Sequence, residues 1–232
     1  MWTVVEPYVP LVLQGTYLTI LVALLSMAGA LLIGLIGALG SIAGGALTKR
    51  AVDLYTTVIR GVPDLVLMLL LYYGGQMMLN RLGELTGLWD YVEICAFMAG
   101  TITIAIIFGA YTVETFRGAA LNIPKGQIEA GLAIGLSRRR LFGRIIWPQL
   151  LSLALPGIGN NWQVLMKTTA LVSVIGLQDV VNSSFQAGRT TRHMFVFMGV
   201  ALIIYLVITM ISGLVIRYVA HRYGSQTRSE LA

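Results

Sequence analysis

The chain has 232 residues, 57% of them hydrophobic and 11% charged, with a mean hydropathy of +0.82 and a formal net charge of +6. A soluble domain of this length carries about 25% charged residues on its wetted surface, so much of this chain's exterior must face lipid. Those proportions argue against a water-soluble enzyme or nucleic-acid module, and the excess of 16 Lys and Arg over 10 Asp and Glu becomes a question of membrane sidedness.

The opening, residues 1–10, carries Glu6 and no basic residue. It lacks the positive n-region of a cleaved signal peptide, so the first apolar run is expected to remain. No charge falls between Pro7 and Thr48, and residues 15–40 supply the roughly 20 apolar residues of a spanning helix. The same stretch could hold a hairpin of two helices, which would reverse the N-terminus and leave every later loop on its side. A second span is expected over residues 63–80, short and with Asp64 at its edge, and a third over residues 92–115. Cys95, the single cysteine, permits no intrachain disulfide and reads as a small buried hydrophobe. The fourth span, residues 151–177, reads as broken around Pro156, Gly157 and Gly159, followed by Asn160 and Asn161. The fifth, residues 194–216, is uninterrupted. His193 and His221 have no metal-ligand spacing to a partner.

Twelve of the sixteen basic residues flank alternate connections. Lys49, Arg50 and Arg60 lie between spans one and two, and Arg117, Lys125, Arg138, Arg139, Arg140 and Arg144 between spans three and four. Arg217, Arg222 and Arg228 follow span five. The positive-inside rule places these in the cytoplasm, the N-terminus outside and the C-terminus inside. Arg81, Arg189 and Arg192 fall on the other side, and Lys167 within a span. Small residues at Gly29, Gly34, Gly37, Gly40 and Gly44 suit close helix packing in lipid. No internal repeat divides the chain.

The connection over residues 122–150 is the most informative. Ile128, Leu132, Ala133 and Leu136 recur at helical spacing, Gly135 interrupts them, and Ser137 is placed to cap a second short amphipathic helix. Pro148 is expected to end or bend that helix. Two short helices joined at a glycine suit a rigid protrusion that fits a cleft on another protein; an arginine-rich hairpin lying on anionic headgroups fits the same residues.

The motifs here carry a resemblance. Glu129-Ala130-Gly131, Gly135 six positions after the glutamate, then Ile145, Trp147 and Pro148, resemble the E-A-A-x3-G-x9-I-x-L-P loop of ABC importer permeases. Gly131 stands where the family has Ala, and Trp147 where it has Leu. Arg60-Gly61-Val62-Pro63, Ala110-Tyr111 with Glu114 and Arg117-Gly118, and Ala154-Leu155-Pro156 with Gly159-Asn160 and Lys167-Thr168 resemble further stretches of the polar amino-acid permeases. Within that family the chain is most similar to the Q-type subunits of the histidine/lysine-arginine-ornithine branch.

The resemblance implies an all-α integral membrane protein of about five transmembrane helices with the type I ABC importer permease fold. Residues 14–217 would form the permease domain, 119–149 its cytoplasmic coupling loop and 218–232 a cytoplasmic tail. It implies a coupling role for Glu129, Ala130, Gly135, Ile145 and Pro148, docked on an ATP-binding cassette ATPase dimer that carries ATP and Mg. This chain would have no cofactor and no catalytic residue, in keeping with the lack of a G-x-x-x-x-G-K-[ST] loop. It also implies a second, related permease in a heterodimer, an external amino-acid-binding protein and a bacterial inner-membrane location.

A gradient-driven secondary transporter or channel subunit is the rival reading; such carriers often show repeats and paired broken helices. Charges inside spans are costly, at about 2.5–3.5 kcal/mol each at the bilayer centre, so Glu114, Asp64 and Lys167 need partners. One reading pairs Glu114 with Arg117, Arg60 or Lys167 as a packing lock and makes Asp64 a helix-start carboxylate. The other makes Lys167, Thr168, Glu114, Asn161, Gln163 and Asp64 a substrate pathway near the break in span four. A cationic amino acid needs a cation for its α-carboxylate and acceptors for its side chain.

Overall fold

A computed structural model describes residues 5–228, with side chains as far as Arg222. Five helices or helix runs are long and apolar enough to cross a membrane: Glu6–Ala43, Asp64–Thr86, Ala96–Leu121, Arg138–Ile175 and Met194–Arg222. The charge-free opening is one unbroken helix, α1 (Val9–Ala43), after a 3₁₀ turn at Glu6–Tyr8. The hairpin alternative therefore falls. Pro10 lies in the first turn of α1, where its missing N–H costs nothing.

α1 buries a stripe of mostly small residues, including Gly15, Thr19, Ala23, Ser26, Ala30, Gly34 and Ala38, and leaves Leu13, Leu24, Leu32 and Ile36 facing outward. The stripe packs along the third span, α5 (Ala96–Leu121), and glycine sets the separation. A Cβ added at Gly29 would come within 2.9 Å of the Ala105 methyl, and one at Gly37 within 2.5 Å of a Val113 methyl. Conversely, a Cβ at Gly109 would meet Ile33 at 2.7 Å. The Ser26 hydroxyl crosses the seam to donate to the Thr101 carbonyl at 3.0 Å. The Gly40 and Gly44 pair instead shapes the corner after α1, where a Cβ on Gly44 would strike Thr48.

Between the first two spans lies a helix absent from the sequence reading, α2 (Ala46–Gly61), too charged to span. Tyr55 anchors it, donating to the Ile106 carbonyl at 2.5 Å, and burial pushes that phenol up to about 12. Span two is composite: α3 (Asp64–Leu69), a π turn at Leu70–Gly74, and α4 (Gly75–Thr86), stopped by Gly87 in the left-handed region. Gln76 and Asn80 accept the amides of Ile94 (2.6 Å) and Val92 (2.8 Å), which ties down the link to α5. Cys95 is exposed at the N-cap of α5, not buried, because that link keeps it outside the bundle.

After α5 come α6 (Lys125–Ala133), α7 (Arg138–Leu141), a π turn at Phe142–Ile146 and α8 (Trp147–Thr168). Two expectations fail here. Pro148 does not end the second loop helix, because it falls in the first turn of α8 and the π turn before it absorbs the change, so α7 runs on into span four. Pro156 does not break span four either. α8 passes through it unbroken, and Gly157 and Gly159 serve close approach, since a Cβ on either would lie 2.6 Å from Thr115 or Ile216. The change of helix type comes later, at the 3₁₀ segment Thr169–Ile175 and Gly176 (φ 88°).

A second unforeseen helix, α9 (Val180–Thr191), follows, with the Asp179 carboxylate capping it at the Asn182 amide, 2.9 Å away. α10 (Met194–Arg228) is continuous, so the expected tail begins as more helix. Residues 1–4 and 229–232, the latter the end of that tail, lie outside the described residues. The main core joins α1, α3, α5 and α8 around Met68, Ile104, Ile107, Phe108, Leu165 and Met166. A smaller one around Phe116, Ile123, Leu150 and Ala154 seats the 122–150 connection.

Candidate functional site: a hinged loop and two polar clusters

α6 stands out from the bundle with Glu129 and Ala130 exposed, as are Leu132 and Ile134 beside them, the latter by 78%. Gly135 takes φ 78°, a left-handed conformation open to glycine and strained for a side chain. It lets the Leu136 amide reach back to the Gly131 carbonyl at 3.1 Å and that of Ile134 to Ala130 at 3.2 Å, closing the helix end. Gly131 is the buried residue of α6: a Cβ there would lie 2.5 Å from Leu141 and 3.0 Å from Ile145. Glycine at this position thus belongs with the bulk of Leu141.

Gln149 fastens the arrangement, donating to the Gln127 side chain at 2.5 Å and to the Ile145 carbonyl at 2.9 Å. Ser137 occupies the cap position of α7 through its carbonyl, which accepts from Leu141 at 2.9 Å, and makes no side-chain cap. A groove of about 960 Å³ runs under α6, lined by Ala130, Ile134, Ile145, Pro148, Leu155 and Val219. Glu129, Ala130, Gly135, Ile145 and Pro148 therefore lie on one corner packed against the start of span four.

The in-span polar residues do not form the single constellation their chemistry suggested. Asn161 is buried and donates to Thr115 at 3.1 Å and Thr112 at 3.4 Å on α5. Gln163 faces the other way, to the Thr209 carbonyl of α10 at 3.4 Å. Thr168 is turned onto its own helix, donating to Val164 at 3.2 Å. Lys167 is exposed, and among the described residues no carboxylate pairs with it. Asp64 is half-buried and opens α3.

Glu114 lies apart from Lys167, in a polar pocket of about 580 Å³ between α2 and α5. There Arg117 pairs with Asp53 at 2.8 Å and approaches Glu114 at 3.6 Å, while Arg60 rests on the Tyr111 ring, 5.4 Å from its centroid. Asp53 had been passed over in the sequence. Its spacing of seven from Arg60, two turns along one helical face, was the available signal once residues 46–61 are read as a helix.

Asp179 was also missed. It is fully buried, its backbone carbonyl against Gly15 of α1, and among the described residues its Oδ2 has no partner. Burial pushes its carboxyl up to about 6, against the opposing pull of the Asn182 and Val181 amides.

Residues 30–225 match the family described as "Binding-protein-dependent transport system inner membrane component". The histidine/lysine/arginine/ornithine transport system permease protein HisQ of Escherichia coli (strain K12) is 48% identical over 92% of this chain and 93% of its own length. The octopine transport system permease protein OccQ of Rhizobium radiobacter is 38% identical over 88% of this chain and 86% of its own. Among solved structures, a chain from an amino acid ABC transporter crystallised with histidines superposes with a TM-score of 0.82. It is 29% identical, with 96% of this chain and 98% of that chain covered.

Proposed function

This chain belongs to the family of binding-protein-dependent transport system inner membrane components, and we propose that it is a permease subunit of a bacterial ABC importer for cationic amino acids. The relatives carry names for histidine, lysine, arginine, ornithine and octopine transport, and these cargoes share a basic side chain beside an α-carboxylate, histidine being a cation when its imidazole is protonated. The permease works with a second, related permease chain, an ATPase dimer that holds ATP and Mg, and an external binding protein. Its basic loops lie in the cytoplasm, with the N-terminus outside and the C-terminus inside.

The observation that carries this reading furthest is the corner at α6. An exposed nine-residue helix bearing Glu129, turned at Gly135 and braced to span four through Gln127 and Gln149, has the form of a strut. A push on α6 would reach α8 through the Gln127–Gln149 hydrogen bond and the packing of Gly131 on Leu141 and Ile145, beside the turn at Gly135. Of the residues proposed for a cargo pathway, Glu114 lines the pocket between α2 and α5, Lys167 is exposed on α8 and Asp64 opens span two, whereas Asn161, Gln163 and Thr168 are bonded to neighbouring helices or to their own.

The test is Gly135→Val. A β-branched residue at this φ costs about 1–3 kcal/mol of local strain, enough to tilt α6 yet small beside the stability of the bundle. ATP-driven uptake in proteoliposomes should fall at least about tenfold while the variant still inserts and copurifies with its partners. Uptake at the wild-type rate would contradict the coupling role.

A further inference from the structure

We propose that the polar pocket between α2 and α5 is a staging site for the zwitterionic main chain of the transported amino acid, with Arg60 receiving its α-carboxylate and Glu114 its α-ammonium. The assignment rests on the reading of this chain as an amino-acid permease and adds a site to it.

Four charges of alternating origin line this pocket: Asp53 and Arg60 from α2, Glu114 and Arg117 from α5. Arg117 is committed, hydrogen-bonded to Asp53 at 2.8 Å. Arg60 is not. Among the described residues it makes no ion pair, although two carboxylates share its pocket. Its guanidinium sits against the face of Tyr111, and a cation held through a ring face keeps its in-plane N–H fork free. That fork matches a carboxylate in a bidentate pair.

Glu114 also has capacity in reserve. Its 3.6 Å approach to Arg117 is longer than a hydrogen bond, so its oxygens can still accept from an ammonium. Thr56 and Thr57 add hydroxyls to the same wall. The four charges sum to zero, which selects the ligand: a simple anion meets the carboxylates and a simple cation meets the guanidiniums. A molecule carrying both signs a few ångströms apart meets complementary partners at each end. Every α-amino acid has that pair, so the site holds cargo by its common part and leaves the side chain to other contacts. It lies on the last turns of α5, just before α6 in the chain.

An ethanolamine phospholipid headgroup carries the same pair of charges, so the experiment separates the two sources. The assembled permease–ATPase complex, in phosphatidylcholine nanodiscs and without binding protein, is probed by saturation-transfer NMR with L-arginine, L-argininamide and O-phosphoethanolamine. Arginine should give a signal about fivefold above the amide, which lacks the carboxylate. Arg60→Gln should bring arginine down to the amide level, and Arg60→Lys, which keeps the charge and loses the fork, should fall between. Glu114→Gln should weaken arginine and amide together.

Equal arginine and amide signals in the wild type, or an Arg60→Gln or Arg60→Lys complex that binds arginine as the wild type does, would overturn the site. So would an Arg60 dependence confined to phosphoethanolamine. A wild-type complex that imports no amino acid would instead defeat the reading beneath it, whatever the NMR shows.

Discussion

The seam between α1 and α5 and the corner between α6 and α8 are both built on glycine, for opposite reasons. In the seam, Gly29, Gly34, Gly37 and Gly109 have ordinary helical backbones and are needed for what they lack: an added Cβ would come within 2.9 Å of a facing side chain. At the corner, Gly135 has open space where its Cβ would be and is needed for its backbone, which turns at φ 78°. Without a hydrophobic driving force in lipid, the seam holds by close approach and the Ser26–Thr101 hydrogen bond across it, so it is a wall. The corner is a joint set at one angle. One region should fail by not assembling, the other by assembling and not working.

The largest effect is expected in the seam. Gly34→Leu would press a side chain into Thr112, whose Cβ lies 2.6 Å from the added carbon and whose backbone carbonyl carbon lies 3.0 Å away. Overpacking costs about 1–3 kcal/mol where neighbours can shift, and a facing backbone cannot. The yield of folded protein after detergent extraction should collapse. Gly135→Val should by contrast be extracted and copurified normally and lose transport, and a variant that also loses assembly would erase the distinction.

The smallest effect concerns Asp179, whose carboxyl is buried and whose backbone carbonyl lies against Gly15 of α1. Its folded-state value of about 6 lies above the ordinary 3.8, so between those values the folded chain holds a proton that the unfolded chain has lost. Stability must then fall as pH rises through that window. The melting temperature of the purified complex should drop between pH 4 and pH 6, about the two values the carboxyl takes, and Asp179→Asn should flatten that slope. An unchanged slope would show that Asp179 is not the titrating group.

Much of this comparison was legible before the structure. Five apolar runs, the basic connections, Gly135 and the motif around it stand out because membrane solvation and backbone handedness act on single residues and short windows. The helices α2 and α9 were not legible as elements. Both are too polar to stand out as spans, and their amphipathic spacing, as in Val52, Tyr55, Thr56 and Ile59 of α2, shows only when the window is read for a surface helix.

Pro156 misled because a proline break is a local rule, and packing of Gly157 on Thr115 and Gly159 on Ile216 overrides it. The placement of the candidate pathway residues was not legible. Residue type named Glu114, Asn161, Gln163 and Lys167, but which face of a helix each occupies depends on neighbours distant in sequence. The helix phases send Gln163 toward α10 and Asn161 toward α5.

The central claim, that this chain is a permease driven through its α6 corner by a partner's ATP hydrolysis, is met most directly by one measurement. The reconstituted complex, given loaded binding protein outside, ATP and Mg inside and no ion gradient, is followed for uptake of labelled arginine. The account predicts accumulation that requires both ATP and the binding protein. Uptake that proceeds without ATP and follows an imposed ion gradient would contradict it.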